Sequence, residues 1–180
     1  MKTRNPFVKL TICLLLALTT TFLVNIHQVS AQPITDCSKI VTDTYITTTN
    51  SGEFGSFRGI LTFTQDGNVF GTTSNQSAAP SPLDQSGVPS VQPFGNIQGS
   101  WKCTSDKEIT STAFNFWYPT ATLPGLIARN DVRMTFDPKN GIVQGTGTVR
   151  SFPLKANPLN DQAPVRGTFT VTGERVIPGQ

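Results

Sequence analysis

Between residues 40 and 176 the chain nowhere keeps the 3.6-residue apolar period of an amphipathic helix; it alternates apolar with polar residues in short runs closed by turn formers. A period of two sends successive side chains to opposite faces of a strand, so each run has one greasy and one wet face. The runs predict eight strands, near 40–48, 57–65, 68–74, 97–104, 108–118, 126–136, 142–152 and 165–176. Asp66-Gly67, Ser105-Asp106 and Asp137-Pro-Lys-Asn-Gly141 read as hairpin turns between them.

Strands six and seven can be registered from the sequence. Setting Phe136 opposite Val143 faces Met134 with Gly145, Val132 with Gly147 and Asn130 with Val149 on one surface. The opposite surface then carries Arg129, Asp131, Arg133 and Thr135 against Arg150, Thr148, Thr146 and Gln144. Large residues facing glycines imply strong curvature over one packed face. The last strand repeats the pattern, with Val165, Gly167, Phe169, Val171 and Gly173 on one side and Arg166, Thr168, Thr170, Thr172 and Glu174 on the other. A meander of short hairpins with one wet face reaches a stable state by closing its last strand on its first, which leaves no edge unpaired. The expected fold is all-β, an antiparallel up-and-down β-barrel of about eight strands. Membrane barrels alternate in the reverse sense, with apolar residues outside, and the charged outer rows fit the soluble case.

The first nine residues hold Lys2, Arg4 and Lys9 and no acid, and an apolar run broken by threonines follows from Leu10 to Val24. With Val29-Ser30-Ala31 supplying small residues before Gln32, residues 1–31 read as a cleaved secretory signal and 32–180 as a single barrel domain. A retained anchor would need about 20 apolar residues to cross the hydrocarbon core, more than this run supplies. The leader holds three of the 14 Lys and Arg residues, which leaves eleven against 11 Asp and Glu, so the remaining domain is formally neutral. Nucleic acid and anionic membrane surfaces call for a clustered positive excess, so neither is expected as a partner. The expected destination is secreted or periplasmic.

The leader also takes the only histidine, His27. Without imidazole the domain builds no Ser-His-Asp or Cys-His arrangement and lacks the commonest zinc and copper ligand, so no metal site and no cofactor are expected. Cys37 and Cys103 remain, and in an oxidising compartment they are expected to pair; two buried free thiols are the alternative. Asp66, Asp106 and Asp137 fall in turns, where carboxylates commonly hydrogen-bond the backbone. Asn75-Gln76-Ser77 is a glycosylation sequon or an ordinary loop triplet. The connections 75–96 and 153–164 are long enough to serve as lids or as irregular excursions.

Aromatic residues crowd the central strands, where Phe114, Phe116 and Tyr118 share one face and Trp117 lies on the other with Asn115. Either the barrel is filled by side chains, or a cavity for an apolar small molecule is lined by Trp101, Phe114, Phe116, Tyr118, Asn130, Val132 and Met134. Asn130 is the polar residue in an apolar row, and a buried amide must find partners.

The segments GNVFGTTSNQ (67–76), GSWKC (99–103), ITSTAFNFWY (109–118) and FDPKNGIVQGTGTVRSF (136–152) resemble those of small exported bacterial proteins with a calycin-like barrel. The glycine-threonine strand after a turn is also similar to the allene oxide cyclase and dirigent type of barrel. The resemblance spans most of residues 55 to 176 and rests on hairpin and strand packing, and it assigns no catalytic residue. It implies a barrel that holds an apolar small molecule, or one that folds a reactive substrate in a shaped cavity. An enzyme of the cyclase or isomerase kind, working by cavity shape and a few dipoles such as Asn130 or Tyr118, is the second reading. A structural or adhesive envelope protein, using its outer threonine rows and long loops, is the third reading.

Overall fold

The computed structural model describes residues 37–52, 55–77, 92–159 and 162–179. The leader assigned to residues 1–31 and the larger part of the 75–96 connection lie outside them. Among these residues one helical turn, α1 (Ser38–Val41), precedes eight strands. These are β1 (Asp43–Ser51), β2 (Gly55–Phe63), β3 (Asn68–Thr73), β4 (Ile97–Ser105), β5 (Glu108–Trp117), β6 (Leu126–Asp137), β7 (Ile142–Pro153) and β8 (Val165–Arg175). Each pairs antiparallel with its successor, and β1 pairs with β8 from Tyr45↔Arg175 to Ser51↔Phe169, so the barrel is closed.

The first strand begins later than the periodicity indicated, because residues 38–41 coil before it. Four residues are too few for a helical period to show in a sequence. The β6–β7 register is the one expected, with Phe136↔Val143, Met134↔Gly145, Val132↔Gly147 and Asn130↔Val149. Gly147 is required by space: a Cβ there would collide with the ring of its cross-strand partner Phe169, which lies over it. One correction concerns β8. A bulge between Val149 and Arg150 pairs Arg150 with Val165, and Val165 is exposed instead of joining the inward row of Gly167, Phe169 and Val171.

The two barrel ends are built differently. At one end the chain turns tightly at Asp66-Gly67, Ser105-Asp106 and 138–141, with Gly67 and Gly141 at positive φ (85° and 68°). Asp137 accepts from the Lys139 N–H at 3.0 Å and the Asn140 amide at 2.7 Å. Asp66 accepts from the Thr64 hydroxyl and, at 2.8 Å, from the Asn68 amide. These hydrogen bonds hold both carboxyls below their ordinary range. Both acids do turn chemistry.

The same end is sealed from inside. Cys37 is joined to Cys103 of β4, with Cα atoms 6.0 Å apart, which ties α1 across the barrel base. Cys37 and Val41 are fully buried against Tyr45, Phe63, Ile109, Phe136 and Val143. Phe136 meets Tyr45 and Phe63 edge-on at 5.4 and 5.7 Å, and Phe63 meets Trp101 at 6.2 Å. The Tyr45 hydroxyl donates to the Ile40 and Val41 carbonyls at 3.2 and 3.4 Å, locking the helical turn to β1. Burial, with a smaller contribution from Asp43, pushes its pKa up to about 12. The other end carries the connections 52–54, 74–96, 118–125 and 154–164.

Candidate functional site

Towards the loop end the inward rows change character. On β1 the sequence of inward residues runs from Tyr45 through Thr47 and Thr49 to Ser51; on β5 it runs from Ile109 through Ser111 and Ala113 to Asn115. Smaller side chains in a wall of constant strand number leave space, and a cavity of about 120 Å³ results. Its floor includes Phe63, Val69 and Met134, and its walls include Leu61, Val132 and Val171. Trp117 lies near its mouth, with Phe94 beside it at 6.2 Å and the Arg166 guanidinium 4.7 Å from its ring centroid.

The rim is fastened by the returning end of the long connection. Gln92 is buried and donates to the carbonyls of Tyr118 (2.7 Å) and Pro124 (2.8 Å), which joins the 92–96 segment to the β5–β6 loop. The Tyr118 N–H donates to the Pro93 carbonyl at 2.7 Å, and the Gly95 N–H to the Phe116 carbonyl at 2.8 Å. Next to the same segment, the turn after β3 is fixed at both of its flanks. Ser74 exchanges hydrogen bonds with Arg58, its N–H donating to the carbonyl at 2.8 Å and its hydroxyl accepting from the N–H at 3.1 Å. The Gln76 side chain accepts from Thr72 at 2.8 Å and donates to Asn96 at 3.1 Å. Asn75, the sequon asparagine, sits between these anchors; it is among the residues lining the cavity, and its Oδ1 is buried.

No acid or base lines the cavity among the described residues; its polar groups are hydroxyls and amides. Asn130 donates to Asn115 Oδ1 at 3.2 Å, which pairs the amide singled out in the sequence with one that was not. The charges lie on the outer wall. There Asp131 binds Arg129 at 3.0 Å, Arg150 at 2.7 Å and the Thr112 hydroxyl at 2.8 Å, and Arg133 binds Glu108 at 2.8 Å. The guanidinium of Arg133 and the Thr104 hydroxyl hold the Glu108 carboxyl below its usual range.

Of the seven residues expected to line a cavity, Asn130, Val132 and Met134 do so. Trp101 faces inward but lies in the sealed half, where its indole N–H donates to the Asn68 carbonyl at 3.1 Å. Phe114, Phe116 and Tyr118 are on the outer face of β5: Phe116 is 58% and Tyr118 51% exposed, and the Tyr118 hydroxyl rests over Gly95. Their inward neighbours Asn115 and Trp117 are 6% and 7% exposed. The alternation on β5 is as expected and the phase is reversed. A one-residue choice of phase moves every side chain to the other face, and aromatic content was a poor guide to it. The register offered a better one, since Ala113 pairs with Asn130 and must share its inward side.

No family model matches the chain, and no curated protein matches it. Among solved structures it is similar to EF1p2_mFAP2b bound to DFHBI, at 12% identity over 79% of this chain and 99% of that one, with a TM-score of 0.48. No family assignment follows from so distant a likeness.

Proposed function

We propose that this chain is an exported barrel that holds a small apolar molecule at its loop end and performs no chemistry on it. The carrying observation is the cavity of about 120 Å³, walled mainly by apolar side chains, above a half that is packed solid. An apolar cavity of about 150 Å³ in an otherwise packed protein stays dry and takes up benzene, so this space suits a molecule of about one ring. A lining without ionisable groups among the described residues supports holding over transforming. The placement of Tyr118 on the outside takes away one of the two dipoles that a cyclase-like reading would use. Export is supported by the composition of residues 1–31 and by the Cys37–Cys103 bond, which suits an oxidising compartment.

Two measurements test this together. Native mass spectrometry of the protein from its own host should show a bound mass lost on unfolding. A Trp101→Phe variant leaves Trp117 as the only tryptophan, and its emission should shift as single-ring hydrocarbons are titrated in. Emission that stays constant up to the solubility limit of each hydrocarbon, with no bound mass, would reject the proposal.

A further inference from the structure

The inward rows of β5 and β6 stack the cavity wall in layers. Going outward from the sealed half, β6 contributes Met134, Val132 and Asn130, and β5 contributes Ala113, Asn115 and Trp117. Ala113 pairs with Asn130 and Asn115 with Ala128, so the two asparagines are diagonal neighbours and meet at 3.2 Å. They form an amide layer one step below Trp117 at the mouth, above the apolar floor of Phe63 and Met134. Both face this space. They line it, Asn130 keeps part of its surface open although its row points inward, and among the described residues neither contributes an enclosed polar atom that lacks a partner.

Two side-chain amides offer more donors and acceptors than one bond between them can use. Asn130 Nδ2 donates to Asn115 Oδ1, while Asn115 Nδ2 and Asn130 Oδ1 bond nothing among the described residues. The pair therefore presents a donor on one residue and an acceptor on the other. Its own bond fixes the two groups relative to each other, so the edge is set before a ligand arrives.

We infer that the Asn115–Asn130 pair is the recognition edge of the ligand site, and that the ligand is a neutral molecule of about one ring whose polar group both donates and accepts, as a cyclic amide does. This rests on the proposed holding of a small molecule at the loop end. A cyclic amide carries its N–H and C=O side by side and serves Asn130 Oδ1 and Asn115 Nδ2 together. A ketone serves Asn115 alone, and a hydrocarbon serves neither. A carboxylate brings no donor and meets no cation in the lining among the described residues, so its desolvation goes uncompensated. The order of the layers sets the orientation: the polar group lies outermost, beneath Trp117, and the apolar side of the ring rests on the floor.

The test compares δ-valerolactam, cyclohexanone and cyclohexane, rings of similar size, in protein expressed from the full sequence and in its Asn115→Leu/Asn130→Leu variant. Affinity is read by calorimetry, and each ligand is compared with itself in the two proteins so that its own hydration cancels. The variant should bind δ-valerolactam at least about tenfold more weakly, the worth of about one satisfied buried hydrogen bond. Cyclohexanone should lose less and cyclohexane nothing. In NMR spectra of the unaltered protein, δ-valerolactam should move the side-chain amide resonances of Asn115 and Asn130 further than cyclohexane does. An unchanged δ-valerolactam affinity in the variant, or amide resonances that respond alike to both ligands, overturns the inference; cyclohexane binding would then leave the holding of apolar molecules standing. If none of the rings binds the unaltered protein, both readings fall. If the double variant does not fold, the amide resonances decide alone.

Discussion

The same strands build two unlike halves. Near α1, β1 and β6 contribute Tyr45, Phe136 and Met134 to a core closed by a disulfide and edge-to-face rings. A few residues further along, the same strands contribute Thr49, Ser51 and Asn130 to a cavity wall. Strand number and pairing do not change between the halves. The void therefore comes from the size and polarity of the inward side chains, and the wall is kept standing by the sealed half. The buried aromatic core lies at one end and the cavity at the other.

The sealed half is expected to carry most of the stability. Phe136→Ala, which empties the meeting point of Tyr45 and Phe63, should cost about 3–5 kcal/mol in denaturant unfolding. A loss below about 1 kcal/mol would mean that the core tolerates a hole there. Replacing both cysteines by serine frees a link between residues 66 apart, and chain-entropy reasoning sets the loss at about 4 kcal/mol. The same shift should appear on reduction of the unaltered protein, and a reduced protein with unchanged midpoint would contradict it.

Alkali sharpens the contrast, because the titrating group belongs to the sealed half. Tyr45 keeps its proton to about pH 12 when folded, whereas the unfolded side chain loses it near 10.0. Between those values the unfolded state binds fewer protons than the native state, so stability falls as pH rises. The contribution is fully present below pH 10 and is lost by pH 12, amounting to about 2–3 kcal/mol at 1.36 kcal/mol per unit. A Tyr45→Phe variant should lack this part of the alkaline decline. Equal slopes for the two proteins would show that burial of the hydroxyl is not its source.

The smallest effect is expected in the open half. Asn130→Leu leaves the Asn115 amide without its donor and should cost about 1–3 kcal/mol. Converting both residues to leucine removes the need for a partner and should return stability to within about 1 kcal/mol of the original. If the double variant is as unstable as the sum of the singles, the amide pair holds the wall together and the two halves share the stability.

Much of the architecture was legible in the chain. Eight alternating runs, the turns at Asp66-Gly67 and Asp137–Gly141, the β6–β7 register and the Cys37–Cys103 bond all follow from periodicity, turn chemistry and the presence of two thiols beyond residue 31. The site was legible only where a register had been worked out. Asn130, Val132 and Met134 came from the β6–β7 pairing, while β5 was judged by its aromatics and placed inside out. Nothing in the sequence marked Thr73 and Asn75 as cavity-lining residues. A threonine ending a strand and an asparagine in a turn are ordinary until the fold shows that their polar atoms are buried without partners.

Sequence alone determined the local rules: which residues alternate, where the ribbon turns and which sulfurs can meet, since these depend on neighbours a few positions apart or on a count. Which face of β5 looks inward, and where the interior stays empty, only the closed barrel decided. Alternation is unchanged by a shift of one residue, so phase is settled by cross-strand partners. A void is the difference between what eight strands enclose and what their inward side chains fill, and no single strand contains that difference.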